Sequence, residues 1–287
     1  MIFDIAFWLC LLLAIPVQAS LRVVDDAGHA LDLERPPQRI VSLSPHLTEL
    51  LFAVGAGTQL VGVDSASDYP PAARKIPRIG DFSRVNLERL LAAKPDLVVA
   101  WAGGNRAVDI HRLRRLGLPL LLTDAQQLED VARLLRLLGR ATGHAVQGDA
   151  AADAFSLRLR AIRRGQPSRH APLAVFYQIW DRPLMTVGGS HWISDALALC
   201  GGRNVFHDLE SASSVVSREA VLLRAPEVVV GGSDAPVLQR QWQRFGALPA
   251  VKNNGLVQVD ADLLHRPTPR LLDGVEELCA ALAPYGR

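Results

Sequence analysis

The chain has 287 residues, 49% of them hydrophobic and 21% charged, with 31 Lys plus Arg against 29 Asp plus Glu. That excludes a disordered chain, which has fewer apolar residues and a more lopsided charge, and leaves material for one large domain or two medium ones. A net charge of +2 gives no reason to expect nucleic acid, whose binders carry a clustered basic face.

Residues 5–17 (IAFWLCLLLAIPV) form an uncharged, almost wholly apolar run of 13. A transmembrane helix needs about 20 such residues, so the run is too short to span a bilayer. It suits the apolar middle of a secretory signal, with Val17-Gln18-Ala19 as a small-x-small cleavage site before Ser20. The start departs from that pattern, because its only charge is Asp4, and an uncleaved anchor is the rival reading. Cys10 has no small residues before it and does not read as a lipoprotein cysteine. Cleavage after Ala19 leaves two cysteines, Cys200 and Cys279. An even pair in an exported chain suggests one disulfide, with two buried free thiols as the alternative.

Further along, strand-like and helix-like segments alternate. Residues 39–43 read as a strand, Ser44-Pro45 offers helix-start chemistry, and Leu47, Leu50, Leu51 and Val54 recur at helical spacing over 46–54. Gly55 and Gly57 end that helix before a strand at 60–63. A helix at 86–93 is broken by Pro95, and 97–101 is a buried strand. Residues 112–116 read as helix and 118–122 as the next strand. The pattern is helical almost throughout 126–164, with Gly139 and Gly143 separating two helices, the second running from about 144 to 164. Residues 165–168 stop it, and 173–177 begin a second α/β series. This rhythm means parallel α/β structure. The expected fold is two Rossmann-like α/β lobes with parallel sheets joined by one long rigid helix. Residues 1–19 are the expected signal, 20–141 the first lobe, 142–166 the connecting helix and 167–287 the second lobe.

An internal echo supports two equivalent lobes. Residues 86–99 (NLERLLAAKPDLVV) lie over 217–230 (SREAVLLRAPEVVV) at a constant offset of 131. Each copy has a capping residue, a Glu two positions on, a short helix, a Pro and an apolar strand.

Enzymatic signatures are scarce. Gly188-Gly189-Ser190-His191 lacks the spacing of a nucleophile elbow, and Gly55-Ala56-Gly57 follows a helix and lacks a third glycine. No two of the eight histidines share the close spacing of a local metal motif.

The combined pattern resembles the periplasmic vitamin B12-binding proteins of ATP-driven uptake systems, a group of helical-backbone substrate-binding proteins. The matching segments are Arg39-Ile40-Val41-Ser42-Leu43-Ser44-Pro45 with Thr48-Glu49-Leu50, Ser67-Asp68-Tyr69-Pro70-Pro71, and Asn86-Leu87-Glu88-Arg89. They continue through Lys94-Pro95-Asp96-Leu97-Val98 into Trp101 and Gly103-Gly104-Asn105, then Cys200-Gly201-Gly202, Val216-Ser217-Arg218-Glu219 and Pro269-Arg270. The resemblance implies a non-enzymatic, monomeric carrier without a cofactor of its own. Such a carrier holds cobalamin or a related corrinoid between its lobes and delivers it to an inner-membrane ABC permease dimer with ATPase subunits. It also implies a Cys200–Cys279 disulfide and a periplasmic location.

Carried over residue by residue, the implied ligand set is Ser44, Pro45, Phe82, Trp101, Met185, Asp262 and Arg266. Phe82 stands where the family has a Trp. Where the family shows Tyr, Phe and Trp, this chain has Ala66, Met185 and Ser213; Tyr69, Trp180 or Trp192 would have to substitute, and Trp180 and Trp192 are offered as the replacements. Glu88 and Glu219, the equivalent glutamates of the echo, would meet arginines on the permease, one per lobe. Haem or an iron-siderophore is the alternative cargo, with His46, Tyr69, His191 or His265 as axial ligands. An enzyme modifying corrinoids is a further rival.

Overall fold

The computed structural model describes residues 21–81, 84–166, 171–232 and 235–286, so the expected signal segment and Phe82 lie outside the described residues. A hairpin of β1 (Leu21–Val24) and β2 (Ala30–Leu33) precedes the first lobe. That lobe runs through β3 (Ile40–Ser42), α1 (Pro45–Ala53), β4 (Leu60–Asp64), β5 (Arg78–Asp81), β6 (Arg84–Val85) and α2 (Leu87–Ala92). It continues with β7 (Leu97–Trp101), α3 (Ala107–Arg115) and β8 (Leu120–Thr123). Then come α4 (Asp130–Thr142) and the 21-residue α5 (Ala145–Gly165).

The second lobe contains β9 (Leu173–Gln178), β10 (Trp180–Asp181), β11 (Leu184–Val187), α6 (Trp192–Leu199), β12 (Gly202–Asn204) and β13 (Ser213–Val215). It ends with α7 (Arg218–Arg224), β14 (Val228–Gly231), α8 (Ala235–Trp242), α9 (Pro249–Lys252), β15 (Leu256–Gln258), α10 (Ala261–Leu264) and α11 (Leu271–Leu282).

The sheet orders are β6-β5-β4-β3-β7-β8 and β12-β9-β14-β15, parallel throughout except at β5–β6. Helices cover both faces, which is why strands such as LVVAW and VVVG are continuous apolar runs. The expected pair of parallel-sheet lobes joined by a long helix is the fold that forms. Sequence periodicity placed the third helix late, at 112–116; α3 begins at Ala107 and buries Ile110 and Leu113 one turn apart. The strand expected at 118–122 spans 120–123.

The internal echo is structural as well. Asn86 caps α2 by accepting from Arg89 N, and Ser217 caps α7 by accepting from Ala220 N. Each helix ends on a non-glycine residue in the left-handed region, Lys94 and Ala225, both at φ 45°. The next carboxylates repeat too: Asp96 accepts from the backbone N–H groups of Gln38 and Arg39, and Glu227 from that of Ala174. In both lobes the echo's strand (β7, β14) therefore pairs with the lobe's first sheet strand (β3, β9) through the same side-chain clasp.

One apolar cluster runs through both lobes. It contains Leu47 and Leu50 of α1, Leu138 of α4, Phe155 and Leu159 of α5, Leu197 of α6 and Val275 of α11. Separate clusters fill the outer face of each sheet, one around Leu90 and Leu113, the other around Phe176 and Trp242. The helices α4 and α5 pack at unusually close range. A Cβ on Gly139 would lie 2.8 Å from the Gly148 Cα, and one on Gly148 would lie 2.7 Å from the Leu135 carbonyl. Gly139 therefore does not separate two helices, contrary to the sequence expectation; it sits inside α4 where a neighbouring backbone leaves no room for a side chain. Gly143, at φ 81°, is the separator. Arg158 anchors α5 to α11 through Asp273 and Glu276, each at 2.6 Å. Cys200, at the end of α6, is disulfide-bonded to Cys279 of α11.

Candidate interlobe binding site

In a parallel α/β lobe the ligand crevice lies outside the carboxyl ends of the strands. Trp101 ends β7, and its backbone N–H donates to Asn105 Oδ1 at 2.7 Å. Asn105 Nδ2 donates to the Leu43 carbonyl, so one amide ties the ends of β3 and β7 together. The Trp101 ring rests on the 103–104 turn, where a Cβ on Gly104 would come within 2.0 Å of it. His46 meets that ring edge-on at 5.1 Å, and Trp192 of the second lobe lies 6.2 Å away, tilted by 55°. Behind it, Thr48 Oγ1 lies 3.0 Å from Ser42 Oγ and 2.9 Å from Ser67 Oγ, fixing α1 against β3 and the segment after β4.

Beside the aromatic residues stands an ion cluster that spans the lobes. Glu49, whose side chain is 3% exposed, accepts from Arg270 Nε (3.0 Å) and Nη2 (2.8 Å) and from Arg266 Nη1 (2.9 Å). Arg266 also donates to Asp68 at 2.7 Å and to Asp262 at 3.0 Å. The Arg270 guanidinium lies 3.8 Å over the Tyr69 ring. Hydrogen bonding to Glu49 holds Arg270 above the ordinary guanidinium range. Burial opposes the charge on Arg266, but its bonds to Asp68 and Glu49 prevail and its pKa is raised as well. A second tie runs from the Leu128 N–H to Asp195 Oδ2 at 2.9 Å.

The structure distributes the expected site residues unevenly. Trp101 is half-buried between the lobes, and Arg266 and exposed Asp262 belong to the ion cluster. Ser44 is buried, its carbonyl accepting from Ser42 Oγ, so half-buried Pro45 has more surface to offer. Trp192 is 2% exposed and its Nε1 donates to the Leu264 carbonyl, which makes it a support for Trp101 rather than an open contact face. Trp180 is 61% exposed on a small antiparallel sheet of β10, β11 and β13. There Trp180, Met185 and Val215 are directly opposed and share one face. Glu88 and Glu219 are exposed in the first turns of α2 and α7. Glu219's carboxyl lies below the usual range, chiefly through its own backbone N–H and then Ser217.

Glu49, Asp68 and Arg270 were not singled out as site residues from sequence. Glu49 did leave a signal there, as a carboxylate on the apolar face of LTELLF. Its partners lie 217 and 221 residues away, beyond any local pattern.

The histidines considered as axial ligands are engaged internally. His191 Nδ1 accepts from the Ile193 N–H, and the ring stacks on Trp192 at 3.9 Å. His265 Nε2 lies 3.0 Å from the Tyr177 hydroxyl. Burial lowers the pKa of His46 and His191 to about 3 and that of His265 to about 4. Among the described residues no group of three His, Cys, Asp or Glu side chains is placed to hold a metal ion.

Residues 40–263 match the model of the periplasmic binding protein family, and the chain belongs to that family, whose members bind solutes rather than transform them. Within it, the chain is 38% identical over 248 residues to the vitamin B12-binding protein of Vibrio cholerae, covering 86% of this chain and 90% of the relative. It is 37% identical over 250 residues to that of Pectobacterium carotovorum, with coverages of 86% and 88%. The crystal structure of the periplasmic vitamin B12 binding protein of Vibrio cholerae superposes with a TM-score of 0.80 at 37% identity, covering 87% of this chain and 98% of that one. A periplasmic haem-binding protein from Pseudomonas aeruginosa is more distant, at 27% identity and a TM-score of 0.73, with coverages of 88% and 94%.

Proposed function

We propose that this chain is an exported periplasmic binding protein that captures cobalamin or a related corrinoid between its lobes and delivers it to an ABC permease. The observation that carries this reading is its likeness, over nearly the whole of each chain, to the vitamin B12-binding protein of Vibrio cholerae. The geometry agrees with it. A corrin is a broad ring with amide-bearing edges. It suits an aromatic face such as Trp101, flanked by Pro45 and bounded by the polar Asp262 and Arg266. The Trp180–Met185 stripe supplies further apolar surface where the family's aromatic set is reduced. The internal hydrogen bonds of His191 and His265 disfavour these two as axial ligands of haem iron. Residues 1–19 act as the export signal, and Glu88 and Glu219 are the permease contacts.

Isothermal titration of residues 20–287 with cyanocobalamin, haem and a ferric siderophore tests the cargo. One-to-one binding of cyanocobalamin at nanomolar strength, about −12 kcal/mol, is the expected outcome. No heat with cyanocobalamin, together with tight binding of haem or the siderophore, would overturn the corrinoid reading and leave the family intact.

A further inference from the structure

The second lobe carries a group of arginines that the interlobe site does not use. Arg182, Arg218, Arg240 and Arg244, all exposed, line one depression of about 330 Å³ together with Gln241 and Asp181. Among the described residues Asp181 is the one lining carboxylate, and it already pairs with Arg182 at 3.4 Å. Three elements converge there: the turn between β10 and β11, the first residue of α7, and one helical face of α8 continued to Arg244.

A relay of amides sets the chemistry of this depression. The indole Nε1 of buried Trp242 can only donate, and it lies 2.7 Å from Gln178 Oε1. That assigns the oxygen of Gln178, so its Nε2 donates to Gln241 Oε1 at 2.8 Å. Gln241 is thereby left with Nε2, a buried donor that has no acceptor among the described residues. The depression thus presents four guanidinium forks above an amide N–H that is buried and unanswered, and the exposed forks call for a ligand with several acceptor oxygens and negative charge.

We propose that this depression is a docking site for the phosphodiester headgroup of an anionic phospholipid. Arg218 precedes Glu219, so the inference rests on the reading of Glu219 as a permease contact; the same face then meets the membrane that holds the permease, where such headgroups form the anionic surface.

Sedimentation of the mature chain with phosphatidylcholine vesicles, with and without phosphatidylglycerol, tests this. Binding is expected only with phosphatidylglycerol, weakening as salt is added. Arg240→Gln with Arg244→Gln should lower partitioning about fivefold per arginine, roughly 25-fold for the pair. Arg160→Gln with Arg164→Gln, on α5, keeps the same net charge and should leave partitioning near that of the unaltered protein. Equal loss in both pairs would reduce the effect to bulk charge, and indifference to phosphatidylglycerol would remove the site. Competition by inorganic phosphate without vesicle binding would make it a solute site instead. Each of these three results overturns the proposal. Titrating the unaltered protein with cyanocobalamin separates this site from the cargo: failure there with vesicle binding intact sinks only the corrinoid assignment.

Discussion

Glu49 shows how one residue joins distant parts of the chain. Its nearly buried carboxylate is shared by two guanidiniums from the other lobe, and removing one partner of a buried pair strands the rest. Glu49→Ala should destabilise the protein by about 3 kcal/mol in urea unfolding, the low end of the range because Arg266 keeps Asp68 and Asp262. Glu49→Gln should cost less, since its amide oxygen still accepts from one arginine. A cost near zero for the alanine would mean water replaces the carboxylate freely. Buried His46 and His191 and half-buried His265 make a separate prediction. Their folded pKa values, about 3 for His46 and His191 and about 4 for His265, lie below the unfolded value near 6.5. Between those limits the unfolded chain binds protons that the folded chain does not. Stability is therefore retained above pH 6.5 and lost as pH falls from 6.5 towards 4, by about 1.4 kcal/mol per pH unit for each histidine. Unfolding free energies measured from pH 8 to pH 4.5 should be flat and then fall; a flat profile throughout would contradict neutral burial. Asp68 and Asp130, held below the usual carboxylate range, lose their contribution only at lower pH, so the two windows separate.

Among the elements, the α4–α5 pair sets two opposing effects against each other at Gly139. Alanine in a helix interior is favoured over glycine by about 1 kcal/mol. Against that, the added methyl would lie 2.8 Å from the Gly148 Cα and 2.9 Å from the His144 carbonyl oxygen, backbone atoms that cannot rotate away. Overpacking of this kind costs roughly 1–3 kcal/mol, so sterics should win and Gly139→Ala should lower the melting temperature. A raised melting temperature would show that the helices can part without penalty. The sequence marked Gly139 as unusual, but spacing alone could not separate a helix break from a helix crossing.

For the whole molecule, the continuous apolar cluster and the two interlobe ties bind the lobes into one body, and the echo places one exposed glutamate on each. A carrier docking across a two-fold permease would use both handles at once. Glu88→Lys with Glu219→Lys should abolish uptake in cells while leaving corrinoid affinity within twofold; weakened corrinoid binding would show that these residues are not separate from the ligand site. Both side chains are exposed, so the substitutions should leave the protein folded, at a cost of about 0.3–1 kcal/mol each for a positive charge in a helix's first turn.

The sequence by itself determined the alternating strands and helices, the long linking helix, the repeated helix-Pro-strand unit and the candidate glutamates. The elements rest on local periodicity and capping, the repeat on a constant offset of 131 residues, and the choice of the glutamates on that repeat together with the family resemblance. Only the tertiary structure decided that Trp192 is a buried support, that Trp180 shares a face with Met185, and that Glu49 clasps Arg266 and Arg270. Those facts depend on which surfaces meet after the chain has turned back on itself. An apolar or charged residue carries no local mark of its partner 200 residues away.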